Sequence, residues 1–224
     1  MPQAFRVTTT MRRLAVPMRA LLCCVLATGI AAEYARAFTV NITAANPKAA
    51  YLQVGVGTFT GGTYNAGGTP ANNATVNKVT VTVPAGAVGN SVAQSMTTDS
   101  TASVSFYDGF TFCNAPAQLY IGGFYRSTAN TGGATVVATV PASLSNGAGA
   151  TIPFSQITWT SSGIGDTGAQ PFPGGTFVAG GTQTVGTIAR NQWAESCWSF
   201  SYLNTLVPAA GTFTGRVVFT LTTP

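Results

Sequence analysis

From Phe38 onward, apolar and polar positions alternate with a period of two. Phe38, Val40 and Ile42 alternate with Thr39, Asn41 and Thr43, and Leu52, Val54 and Val56 with Gln53 and Gly55. Val79, Val81 and Val83 alternate in the same way with Thr80 and Thr82. Such alternation puts successive side chains on opposite faces of a strand, and no long stretch shows a helical period. Further strands are predicted over 103–107, 118–126, 135–140, 152–160, 183–189, 192–202 and 212–222. Gly- and Asn-rich turns separate them, among them Gly132-Gly133, Asn146-Gly147 and Gly174-Gly175. About ten short strands punctuated in this way predict an all-β domain, an antiparallel β-sandwich of Ig-like or jelly-roll-like type. Two segments rich in Gly, Asn, Ser or Thr, 61–77 and 161–181, are expected to form long surface loops.

The first 37 residues break the pattern. Arg12, Arg13 and Arg19 form a positive segment, residues 21–32 are almost continuously apolar, and Ala35-Arg36-Ala37 has the small-x-small form that a signal peptidase cuts. A cleaved signal peptide over 1–37 is therefore expected, with the cut between Ala37 and Phe38 and one domain over 38–224. The apolar run falls short of the roughly 20 residues of a membrane-spanning helix. Initiation at Met11 instead of Met1 keeps all three features. Cys23 follows Leu22, where a lipoprotein signal has a small residue.

Removal of the signal changes the electrostatics. The whole chain has a formal net charge of +5, but five of its ten Lys and Arg lie within 1–37. Lys48, Lys78, Arg126, Arg190 and Arg216 then face Asp99, Asp108, Asp166 and Glu195, a net charge of +1. Five scattered cations make no basic patch, so nucleic acid is not an expected partner. Two of the four cysteines also leave, and an oxidising compartment predicts a Cys113–Cys197 disulfide.

The chain contains no histidine. This excludes Ser–His and Cys–His nucleophile pairs and any imidazole-bound zinc. No phosphate-binding or dinucleotide fingerprint occurs, no Asp-rich loop suggests calcium, and no cofactor or metal site is predicted. In an extended run over 192–202, Trp193, Glu195 and Cys197 share one face and Trp198, Phe200 and Tyr202 the other. The second face is the more apolar and is the expected core face. Around the other cysteine, Phe110 and Phe112 share a face opposite Cys113. The disulfide is thus expected near the outer face or end of a sheet rather than across the core. Tyr107, Asp108, Trp193 and Glu195 would gather beside it as a carboxylate–aromatic ligand site. The plainer alternative is that Glu195 pairs with an arginine while Trp193 covers the bridge.

The final segment, Ala210-Gly211-Thr212-Phe213-Thr214-Gly215-Arg216-Val217-Val218-Phe219-Thr220-Leu221, resembles the closing strand of spore-coat-U and archaic chaperone–usher pilin subunits. The resemblance covers this end and the alternating run from Phe38, which would act as a donor strand completing the sheet of another subunit. The early cysteine of those pilins has no counterpart. The resemblance implies a bacterial, exported, non-enzymatic β-sandwich with a structural, adhesive or envelope role, a fimbria-like subunit with other subunits or surface glycans as partners. Two other functions compete with it. One is a carbohydrate-binding module using Tyr64, Tyr107 and Trp193; the other is a glycoside hydrolase using Asp108 and Glu195. The chain's end, Leu221-Thr222-Thr223-Pro224, and its short strands argue against an outer-membrane barrel.

Overall fold

A computed structural model describes residues 39–56, 59–60, 72–73, 76–129 and 131–224. Contacts divide the chain into Met1–Glu33 and Tyr34–Pro224, and every described residue belongs to the second unit. The signal segment, the Ala37–Phe38 cut, Tyr64 and most of the 61–77 loop lie outside the described residues.

The strands are β1 (Thr39–Asn41), β2 (Ala49–Val54), β3 (Phe59–Thr60), β4 (Asn72–Asn73), β5 (Val79–Thr80), β6 (Gln94–Ser95), β7 (Thr97–Thr98), β8 (Leu119–Arg126), β9 (Ala134–Val140), β10 (Ser143–Ser145), β11 (Thr151–Pro153), β12 (Ile157–Ser162), β13 (Gly175–Thr176), β14 (Gly181–Ile188), β15 (Gln192–Tyr202) and β16 (Val218–Thr222). Among the described residues, helix is limited to two single 3-10 turns, Ala85–Ala87 and Phe154–Gln156. No helix among the described residues is long and apolar enough to cross a membrane.

The larger sheet has the order β13-β12-β15-β8-β2, and the smaller one β14-β9-β16. All pairings among the described residues are antiparallel, as expected where tight turns join the strands. The eleven-residue β15 is the axis of the larger sheet. On one side it pairs with β12 through Cys197–Tyr202 and with β1 through Gln192–Ala194. On the other it pairs with β8 through Gln192–Ser196 and with β6 at Ser201 and Tyr202.

The two sheets enclose an apolar core. Trp198 and Phe200 of β15, Trp159 of β12, Ile121 and Tyr125 of β8, and Val136 and Ala138 of β9 are all buried there. Trp159 and Trp198 meet with ring centroids 5.2 Å apart. Full burial of each such side chain contributes about 1.5–3 kcal/mol, and this layer fixes the register of β15 against its neighbours. The predicted face assignment holds: Trp198, Phe200 and Tyr202 enter the core, while Cys197 joins a separate buried cluster.

Several predicted strands are altered by local chemistry. The 152–160 run breaks at Pro153, which has no N–H for a ladder; a 3-10 turn follows and β12 starts at Ile157. The 212–222 run pairs as a strand only from Val218, with Thr214 bridging Ser145. Residues 103–107 form no strand. Val104 bridges Thr111, and a turn follows directly. The 161–181 segment is not wholly a surface loop, because Phe172 and Phe177 are buried in the core.

Candidate functional site

The connection 99–118, between β7 and β8, folds over the outer face of the larger sheet. Ser103 C=O accepts from the N–H groups of Phe112 and Cys113 at 2.9 and 3.0 Å. Ser105 N–H donates to Phe110 C=O at 2.8 Å, which closes a narrow hairpin-like loop. The Cys113–Cys197 disulfide fastens this loop to β15, with Cα atoms 5.5 Å apart. Gly163 makes room for Phe112: a Cβ there would lie 2.5 Å from the Phe112 ring. Ala102, Phe112, Cys113, Tyr120 and Cys197 form a second, small core beneath the loop.

The bridge thus lies on the outer face of the sheet, as predicted, but two details differ. Phe112 is buried in the same cluster as Cys113, not opposite it, because 110–113 is a loop in which strand alternation does not apply. Trp193 and Glu195 are not surface residues. The loop covers them, leaving Trp193 5% and Glu195 0% exposed.

Glu195 is held by residues from three places. Tyr120, on β8, donates its hydroxyl to Glu195 Oε2 at 2.6 Å. Gly122, paired with Glu195 in register, leaves the space this bond needs. A Cβ at Gly122 would lie 2.3 Å from Tyr120 Oη and 3.0 Å from Glu195 Cβ. Ser105 from the loop and Trp193 from β15 also act on the carboxyl. Burial pushes Glu195 above the usual carboxylate range; the Tyr120 hydrogen bond, and the nearby Ser105 and Trp193 side chains, oppose the rise, and the charge of Asp108 adds to it. Burial, and then the charge of Glu195, raises the Tyr120 phenol. Glu195 Oε1 and Trp193 Nε1 are buried without a hydrogen bond of good geometry. The partner of Glu195 is therefore a tyrosine, not an arginine as in the plainer reading.

Beside this pair runs an aromatic row fixed by strand register. Trp193 of β15 stands opposite Phe124 of β8, which stands opposite Tyr51 of β2. Trp193 lies 6.0 Å from both the Tyr51 and the Phe124 ring centroids. Tyr107, at the loop tip, reaches back to Trp193 with centroids 5.8 Å apart. The next outward-facing residue of β8 is Arg126. Its Nε donates to Thr43 C=O, and its Nη2 donates to Ala44 C=O at 3.5 Å. Together Asn41, Ile42, Thr43, Phe106, Tyr107, Phe124, Arg126 and Trp193 line an open cleft of about 410 Å³.

Of the four predicted site residues, the structure brings Tyr107 against Trp193 and places the Asp108 charge within reach of Glu195. Asp108 itself is exposed, and its Oδ1 accepts from Phe110 N–H at 2.9 Å in a local turn. Sequence reasoning missed Tyr120, Gly122, Phe124 and Arg126. These are successive same-face positions of one predicted strand, so its alternation held the signal. No group of three or more His, Cys, Asp or Glu among the described residues could hold a metal. No family model, no curated protein and no solved structure matches the chain.

Proposed function

We propose that this is an exported, non-enzymatic structural subunit of a bacterial envelope, whose sandwich is completed by an extended segment of another copy. One observation supports the reading above the rest, an apolar seam along one side of the sandwich. The last strand of the larger sheet, β2, and the last strand of the smaller, β16, touch across the core. Ala50, Leu52 and Val54 of β2, Phe219 and Leu221 of β16, and Val79, Val81 and Val83 all pack against the core, yet each is only partly buried. A seam between two sheet edges suits an added strand, which gains ladder hydrogen bonds and buries alternate side chains. The segment proposed as donor costs little to release. Its β1 portion pairs through three residues at the end of β15, with Thr39 and Asn41 exposed. The site's one buried carboxylate has a structural task in this reading, holding Tyr120 and the loop to the sheet.

The test is the chain recovered from the envelope of a producing bacterium, with and without residues 38–43. The full chain is expected to start at Phe38 and to form linear oligomers, while the deleted chain is monomeric by light scattering. Unchanged assembly and unchanged stability after the deletion would overturn strand donation. Retention of residues 1–37 in the cytoplasm would overturn export.

A further inference from the structure

The cleft at the loop tip lies apart from the seam but takes Asn41, Ile42 and Thr43 from the segment proposed as donor, so it belongs to a chain whose own segment stays on β15, and it has its own chemistry. Its apolar part is aromatic, from Phe106, Tyr107, Phe124 and Trp193. Tyr107 and Phe106 are 46% and 43% exposed, large values for aromatic residues, and they stand on a loop anchored by the disulfide. Its polar part is Asn41, Thr43 and Arg126. Arg126 donates to two backbone carbonyls, which leaves further N–H groups of its guanidinium to meet a ligand. Those bonds also orient the group, which lowers the ordering cost of binding. A volume of about 410 Å³ lies at the small end of ligand sites, room for one or two sugar rings rather than a protein segment. Aromatic faces next to a cation fit a ligand with an apolar ring face and a negative group.

We propose that this cleft binds an acidic sugar, a uronate unit, with the ring against Tyr107 and Phe124 and the carboxylate on Arg126. A planar guanidinium can take a carboxylate through two parallel hydrogen bonds, and an exposed tyrosine gives broad contact at low entropic cost. Asp108 does not line the cleft, but it follows Tyr107 in the loop and opposes an anion. Its removal therefore has a defined sign in the test.

The exported protein, purified from the producing cell, is titrated with a galacturonate trimer and with the methyl ester of the same trimer. Binding is read by calorimetry and by tryptophan fluorescence. Trp193 borders the cleft, whereas Trp159 and Trp198 lie in the core. The free acid is expected to bind and change the fluorescence, with the ester about tenfold weaker. Tyr107→Ala and Arg126→Gln each lower affinity about tenfold, and Asp108→Asn raises it a few-fold. Tyr107 and Asp108 are exposed, so their variants are expected to keep the parent's thermal stability and to report on binding rather than folding. Equal affinity for acid and ester overturns the assignment of a negative ligand. Absence of binding by either trimer overturns the site as a sugar cleft. Binding that survives both Tyr107→Ala and Arg126→Gln places the sugar elsewhere and equally overturns the proposal.

Discussion

Glu195 shows how one residue's role depends on what covers it. Strand alternation places it on the outer face of β15, where a carboxylate is ordinarily solvated. The loop removes that water, and the Tyr120 hydroxyl at 2.6 Å replaces part of it. The replacement is incomplete, so the carboxyl titrates above its ordinary 4.5. A raised folded-state value means that the folded protein holds this proton more tightly than the unfolded chain. The contribution of Glu195 to stability is thus fully present below about 4.5 and is lost as pH rises through the folded-state value. Glu195→Gln removes this loss. The carbonyl of glutamine can still accept from Tyr120, so the variant is expected to match or exceed the parent's stability at neutral pH. Urea midpoints measured at about pH 4 and about pH 8 check this through the difference between parent and variant, which cancels the other carboxylates. A variant less stable than its parent at the higher pH, with no change in the pH slope, contradicts the account.

At the scale of elements, the outer face of the larger sheet is an assembly of two parts. The sheet supplies Tyr120, Gly122, Phe124 and Arg126 from β8 and Trp193, Glu195 and Cys197 from β15. The loop supplies Ser105, Phe106, Tyr107 and Cys113. Period-two alternation assigns the faces of β15 and so puts Trp193, Glu195 and Cys197 together; the same alternation in β8 carries Tyr120, Gly122, Phe124 and Arg126, which the sequence reading does not single out. It could not make the loop's part legible, because loop residues follow no period. For the same reason alternation wrongly sets Phe112 opposite Cys113 and predicts a strand over 103–107. The disulfide joins the two parts across a separation of 84 residues, for which the chain-entropy model gives about 4–5 kcal/mol as an upper figure. Cys113→Ser with Cys197→Ser is expected to lower unfolding stability by a large part of that amount. It should also make 103–112 the first site of limited proteolysis, leaving the core strands protected. Cleavage beginning instead within β9 or β15 would mean that the bridge holds the sandwich together rather than the loop.

For the molecule as a whole, the sequence pattern carried the sandwich but not its seam. The predicted 212–222 strand carries Val217, Phe219 and Leu221, which pack on the core; their partial exposure follows from where β16 lies, at the end of a three-stranded sheet. Position within a sheet depends on pairings distant in sequence, such as β16 with β9 and β2 with β8, and alternation is silent about them. An edge of this kind is usually blunted by a charge or a proline, and neither occurs between Val218 and Thr222. Val218 is 48% exposed on that edge, which makes it the position for a gatekeeping charge. Val218→Lys is expected to change the unfolding stability of the single chain by no more than about 0.5 kcal/mol, as for other exposed substitutions. Strand addition at the seam would nonetheless bring the lysine beside incoming backbone, so sedimentation should show the oligomers reduced to monomer. Loss of assembly at constant stability locates the contact on β16. Undiminished oligomers at constant stability mean that copies meet elsewhere, and β16 is then an edge kept apart by the twist of the sheet rather than one built to receive a strand.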